Sequence, residues 1–181
     1  MSTTHSLTIA PAGTWELDLV HSAVGFEVSY LGGTFKGQYR EIEAKLVVSE
    51  DDVSLEGAAK VASIDVKDEN LAAHLQSPDF FDAERYPEIR FAAHGIGLDG
   101  ETVRAEGELT IKGVTQPAIV TGTVTAPLTD PFGRERVGLK LETKVDRTAF
   151  GVSWNNPLPS GEPALANDVT IVAELYFVKA T

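Results

Sequence analysis

Over residues 102–112 the chain alternates without a break. Val103, Ala105, Gly107, Leu109 and Ile111 fall on one side, and Arg104, Glu106, Glu108, Thr110 and Lys112 on the other. Successive side chains of a β-strand point to opposite faces, so this run is a strand with one dry and one wet face. The same period of two recurs from near the start. Trp15, Leu17 and Leu19 alternate with Glu16 and Asp18, and Val24, Phe26, Val28 and Tyr30 with Gly25, Glu27 and Ser29. Ile42, Ala44, Leu46 and Val48 face away from Glu41, Glu43 and Lys45, and Ile89, Phe91 and Ala93 from Glu88 and Arg90. Val137, Leu139, Leu141 and Val145 oppose Lys140, Glu142, Lys144 and Asp146. Val169, Ile171, Ala173, Leu175 and Phe177 oppose Thr170 and Glu174. Weaker runs at 55–61 and 118–126 bring the total to about eight or nine strands.

Turn signals separate the runs: Gly32-Gly33, residues 49–52, Leu98-Asp99-Gly100, Lys112-Gly113 and residues 130–133. Connections this short make neighbouring strands antiparallel. The chain is therefore all-β, and a sandwich and a closed barrel satisfy the pattern equally. Residues 67–86 break the rhythm. Asp68, Glu69 and Asn70 precede Leu71, Ala72, Ala73, His74 and Leu75, which predicts a short helix ended by Ser77-Pro78. Asp79-Phe80-Phe81-Asp82 reads as a following turn whose two aromatic rings cap or enter an apolar opening. Residues 154–163, with three prolines, form a loop over the surface. Residues 1–12 read as a flexible lead-in and 13–181 as one domain.

A length of 181 residues supports a core without staples, and there is no cysteine for disulfides or thiolate chemistry. The formal charge of −12 repels nucleic-acid phosphates and anionic headgroups, so no nucleic-acid partner is expected. No basic cluster and apolar run open the chain, and no stretch is long enough to span a bilayer. On these grounds a cytoplasmic location is expected.

Many positions on the inferred dry faces are small: Ala44, Gly57, Ala59, Ala93, Ala105, Gly107, Ala118, Gly122, Ala126 and Ala173. Interiors are close-packed, so something must occupy the space these residues leave. Either a ligand fills it, or Trp15, Phe26, Phe91 and Phe177 reach across and close it, or a sandwich core is simply thin there. A ligand among such walls would be hydrocarbon-like, each buried methylene contributing about 0.8 kcal/mol.

Catalytic machinery is sparse. His5, His21, His74 and His94 form no zinc-binding pair, and no metal or cofactor site is expected. His21 follows Asp18 by three residues, as a dyad or as a turn residue bonded to a near carboxylate. His74 lies on the predicted helix, in packing or in contact with a ligand. Gly151-Val152-Ser153-Trp154-Asn155 lacks the second glycine of a nucleophile elbow. The chain thus reads as a binder and not an enzyme. The alternatives are an isomerase or hydrolase of a lipophilic substrate using His74 or His21, and a ligand-free stress or interaction protein.

Several blocks carry a family resemblance: Trp15-Glu16-Leu17-Asp18, His21-Ser22-Ala23-Val24-Gly25-Phe26, the stretch from His74 through Asp82, and Tyr86-Pro87-Glu88-Ile89-Arg90-Phe91. Residues 107–115, Asp146-Arg147-Thr148-Ala149-Phe150-Gly151 and Asn167-Asp168-Val169 follow in order. In these the chain resembles the YceI family. The resemblance implies a lipocalin-like antiparallel barrel of about eight strands with a helical insertion, holding a polyisoprenoid or isoprenoid quinone. Given that fold, Phe26, Val28, Phe91, Leu109, Ile111, Leu175 and Phe177 are expected to line the channel, with Tyr30 and His74 contacting ligand. Leu75, Phe80 and Phe81 guard one end and Phe150 and Trp154 another. Lys36, Arg40, Arg85, Arg90 and Arg147 are the cations open to a pyrophosphate head. Many relatives carry histidine where this chain has Tyr30, and a basic-acidic pair at Ala72-Ala73, which points to a different headgroup here. A homodimer through an open barrel mouth is compatible with the pattern.

Overall fold

A computed structural model of the protein describes residues 9–180. The alternating runs become β1 (Gly13–Leu17), β2 (Ala23–Tyr30), β3 (Gly33–Tyr39), β4 (Ile42–Val48) and β5 (Val53–Lys60). A two-residue strand, β6 (Ile64–Asp65), leads to the helix α1 (Glu69–Gln76). Then come β7 (Glu88–Ala93), β8 (Gly97–Asp99), β9 (Thr102–Ile111), β10 (Val114–Val124), β11 (Leu128–Thr129), β12 (Glu135–Asp146) and β13 (Leu165–Lys179).

The strands order as β12-β10-β9-β7-β5-β4-β1-β13, and β13 pairs back onto β12 from Arg136↔Val178 to Asp146↔Asp168. That last ladder closes an antiparallel barrel of eight strands and removes the sandwich. β13 is long enough to serve two partners on its other edge. Its end pairs β1 through Phe177 and Lys179, while residues 165–174 pair β2. β2 carries β3, and the end of β3 carries β6, so the wall rises higher on this side.

Two tight turns follow from local chemistry. Tyr30 pairs Gly33, leaving Leu31 and Gly32 as the turn, with φ of 50° and 80°. Ile111 pairs Val114 around Lys112 and Gly113, with φ of 51° and 75°. Paired positive φ values make these the hairpin turns whose twist matches that of their strands. The first turn lies one residue before the expected Gly32-Gly33. In α1, the Asp68 carboxylate accepts from the Leu71 backbone N–H at 2.9 Å, capping the N-terminus.

One end of the barrel is solid. Trp15, Leu46, Val103, Leu139 and Phe177 are almost fully buried there, with Ala93 and Ala105 between them. Residues 1–8 of the expected lead-in lie outside the described residues; Ile9 and Ala10, also placed in it, pack into this core. The Trp15 indole N–H donates to the Pro11 carbonyl at 3.1 Å. Among the described residues no helix is long and apolar enough to cross a membrane.

Candidate functional site

Above the solid end the barrel opens into a cavity of about 330 Å³. Leu55, Val120, Leu141 and Leu175 form its floor, shared with the packed core. Ala44, Gly57 and Ala59 make a low stretch of wall on the neighbouring strands β4 and β5, and Ala173 another on β13. Each is too short to reach the axis. Larger side chains leave the axis open for a different reason. A Cβ at Gly37 would stand 2.6 Å from the Phe26 ring, and one at Gly107 2.7 Å from the Phe91 ring. The two phenyl rings lie back into niches that only glycine leaves. Of the four aromatics that could have closed the interior, Trp15 and Phe177 plug one end, whereas Phe26 and Phe91 line the cavity.

Every residue expected to contact ligand borders this cavity except Phe177, which belongs to the plug. Phe26, Val28 and Tyr30 come from β2; Phe91 from β7; Leu109 and Ile111 from β9; Leu175 from β13. The roof is the segment after β6. Leu71, His74 and Leu75 share the inward face of α1, spaced by three and four residues as a helix requires. The following turn is held by Phe80 N–H to Ser77 O at 3.0 Å and Phe81 N–H to Leu75 O at 3.0 Å. Both rings reach the cavity.

The loop that starts at Trp154 does not mark a second end. Trp154 packs edge-on against His74, centroids 5.0 Å apart, and lies 5.3 Å from Phe80. It therefore joins the same roof, together with Phe150 and Val152. Lys112 ties the two parts: its ammonium donates to Pro78 O at 2.7 Å and Gly151 O at 3.4 Å. His74 completes the rim with a hydrogen bond to Asp79 at 3.1 Å.

Ala126, counted among the small inward residues, is exposed, because the dry run of β10 ends at Val124. His21 does bond Asp18, at 2.7 Å, but on the outer surface and away from the cavity. His94 lies beside Asp52 at 3.4 Å. Among the described residues no group of three or more His, Cys, Asp or Glu side chains is placed to hold a metal ion.

A model of the YceI-like domain matches residues 15–177. The chain belongs to the YceI-like family. It is 30% identical over 151 residues to UPF0312 protein plu2095 of Photorhabdus laumondii, an alignment covering 78% of this chain and 77% of that protein. Its fold is similar to that of BcnA from Burkholderia cenocepacia, with a TM-score of 0.77, 24% identity, and coverage of 91% and 99%. It is also similar to a polyisoprenoid binding domain from Saccharophagus degradans, with a TM-score of 0.66, 12% identity, and coverage of 92% and 98%. At these identities the two structures speak to the fold alone.

The positions expected to depart from the YceI-like pattern separate in space. Tyr30 borders the cavity at its rim, whereas Ala72 and Ala73 face an outer groove with Glu69 and Gln76. Of the five candidate cations, Lys36, Arg40 and Arg85 are surface groups paired with Glu27, Asp65 and Asp82. Arg90 borders the cavity but is exposed and pairs with Glu88. Only Arg147 is buried, at 6% exposure. Its guanidinium donates to the carbonyls of Ala166 at 2.9 Å, Val152 at 2.8 Å and Trp154 at 2.8 Å, and more distantly to that of Leu165. Burial lowers its pKa from the ordinary arginine value, opposed by the charge of Asp146. Arg147 thus staples the Trp154 loop to the barrel. Sequence reasoning missed the wall residues Phe35 and Tyr39 because glycine at 33 and 37 interrupts their apolar run.

Proposed function

We propose that this protein binds a long-chain polyisoprenoid or isoprenoid quinone in the barrel and stores, shields or transports it. The observation that carries the reading is the roofed apolar cavity of about 330 Å³ set above a solid floor. Its volume falls in the range of small-ligand pockets, roughly 300–1,000 Å³. Its walls offer burial of methylene and methyl groups and little else, which suits a chain with no specific polar contact along its length. The similar fold of the polyisoprenoid binding domain from Saccharophagus degradans supports the same class of ligand. A binder and not an enzyme is the better reading, since His21 faces away from the cavity and His74 is engaged with Asp79 and two aromatic rings. A roofed carrier of this kind suits traffic through the cytoplasm, alone or as a homodimer.

Organic extraction of the purified protein followed by mass spectrometry tests the proposal. A prenyl lipid at near-stoichiometric yield is expected from the wild type, and its loss from Gly57→Leu, which pushes a side chain into the lumen. A wild-type protein that is empty and has no affinity for added prenyl chains ends the reading.

A further inference from the structure

The wall of the cavity holds a buried polar group with no hydrogen-bond partner among the described residues. Tyr39, the last residue of β3, is 6% exposed and lines the cavity. Its ring lies 6.1 Å from that of Phe26 and stands edge-on to Phe81 at 6.3 Å. It therefore sits where the barrel wall meets the roof. Among the described residues nothing hydrogen-bonds its hydroxyl, and that oxygen is not among the sealed unpaired atoms. The residue is enclosed on its other sides by Phe26 and Phe81, and the cavity is the open space it borders.

A buried tyrosine hydroxyl ordinarily finds a partner, because an unpaired one forfeits its hydrogen bonds to water. Burial pushes the Tyr39 pKa well up, so the group stays protonated and has a hydrogen to give. The other polar groups that border the cavity are engaged or turned to solvent: Tyr30, Glu43 and Glu142 are exposed, and Arg90 is exposed and paired with Glu88. Arg147 is committed to backbone carbonyls, Thr143 donates to Ile119 O at 2.8 Å, and His74 bonds Asp79. An anionic head would require a free cation among these, and a neutral oxygen acceptor requires only the phenol.

We infer that Tyr39 selects the ligand, donating a hydrogen bond to a neutral, carbonyl-type oxygen carried at the roof end of the bound lipid. The inference rests on the lipid-binding reading above and adds the chemistry of the head. The tail then runs away from Tyr39 toward the floor at Leu55, Val120, Leu141 and Leu175.

The test uses the full chain and three probes of equal prenyl length: a polyprenyl methyl ketone, the corresponding hydrocarbon and the prenyl monophosphate. Trp154, in the roof, reports binding by fluorescence. The wild type is expected to hold the ketone about three- to tenfold more tightly than the hydrocarbon, the worth of one hydrogen bond. Tyr39→Phe removes that preference by weakening the ketone alone, and Tyr86→Phe, outside the cavity lining, retains it. Tyr39→Phe should also melt at or above the wild-type temperature, since the lost hydroxyl has no structural partner. Equal affinity for ketone and hydrocarbon, a preference that survives Tyr39→Phe, or tighter binding of the monophosphate overturns the inference while leaving the lipid reading intact. If none of the three binds, the lipid reading falls and takes this one with it.

Discussion

Asp18, Arg136 and Asp130 form an ion-pair network on the outside of the solid end. Arg136 donates through one terminal nitrogen to Asp18 at 2.8 Å and through Nε to Asp130 at 2.7 Å. Asp18 belongs to the turn after β1 and Asp130 to the turn before β12, so one guanidinium fastens two turns to the barrel. Burial of Asp18 works against its ionisation, yet hydrogen bonds from Arg136 and His21 outweigh it, and the carboxyl titrates at about 2. Asp130 is also held at about 2, by Arg136 first and by the backbone N–H of Arg134. A carboxyl whose folded pKa is depressed contributes stability above its unfolded pKa, near 3.9, and loses it as pH falls through the folded value. The wild type should therefore lose stability steeply between pH 4 and pH 2. Denaturant titrations across that range should show a shallower loss for Arg136→Met. An unchanged slope would mean that these carboxyls do not carry the acid sensitivity.

The roof is an element-scale device, built from α1, the turn behind it and the loop that begins at Trp154. Three kinds of contact hold it: the Lys112 ammonium on two carbonyls, the His74–Trp154–Phe80 aromatic cluster, and the Arg147 staple. None is a sheet ladder, so the roof can open while the barrel stays intact. Trp154→Ala removes an edge-on contact to His74 and a tilted one to Phe80, and aromatic pairs are worth about 0.5–1.5 kcal/mol each. Amide exchange across α1 should quicken about five- to hundredfold by that arithmetic, with β9, β10 and β12 unaffected. Acceleration spread evenly over the strands would show that roof and barrel open together. The sequence made the helix readable, because Asp68 and Ser77-Pro78 mark its limits and Leu71 and Leu75 its dry side. It did not reveal that Trp154 sits on His74, eighty residues away, since nothing local encodes a contact between a helix and a distant loop. Strand β3 escaped notice for a related reason. Gly37 replaces the expected apolar residue because the Phe26 ring of the paired strand β2 already fills that place.

At the scale of the whole molecule the barrel divides its two tasks between its ends. The solid end, with Trp15 and Phe177 at its centre, is packed by the chain's own side chains. The hollow end gives up packing for capacity. Side chains that border a void lack partner atoms on one side and contribute less to stability than those enclosed all round. Phe177→Ala should cost about 3–5 kcal/mol, as for a fully enclosed aromatic. Phe35→Ala, at the half-buried cavity wall, should cost less than about half of that. Binding reverses the inequality in part: a ligand that fills the lumen stabilises the folded state by RT ln(1 + [L]/Kd), about 2.7 kcal/mol at a hundredfold excess over Kd. It also restores contacts to the cavity wall and adds nothing at the plug. Urea denaturation of both variants, with and without a saturating prenyl ketone, measures all of this. The wild type and Phe177→Ala should gain equally from ligand, because the plug makes no contact with it. Phe35→Ala should gain less, because the truncated wall loses atoms the ligand would touch. Equal costs for the two truncations without ligand would contradict a barrel that is solid at one end and hollow at the other.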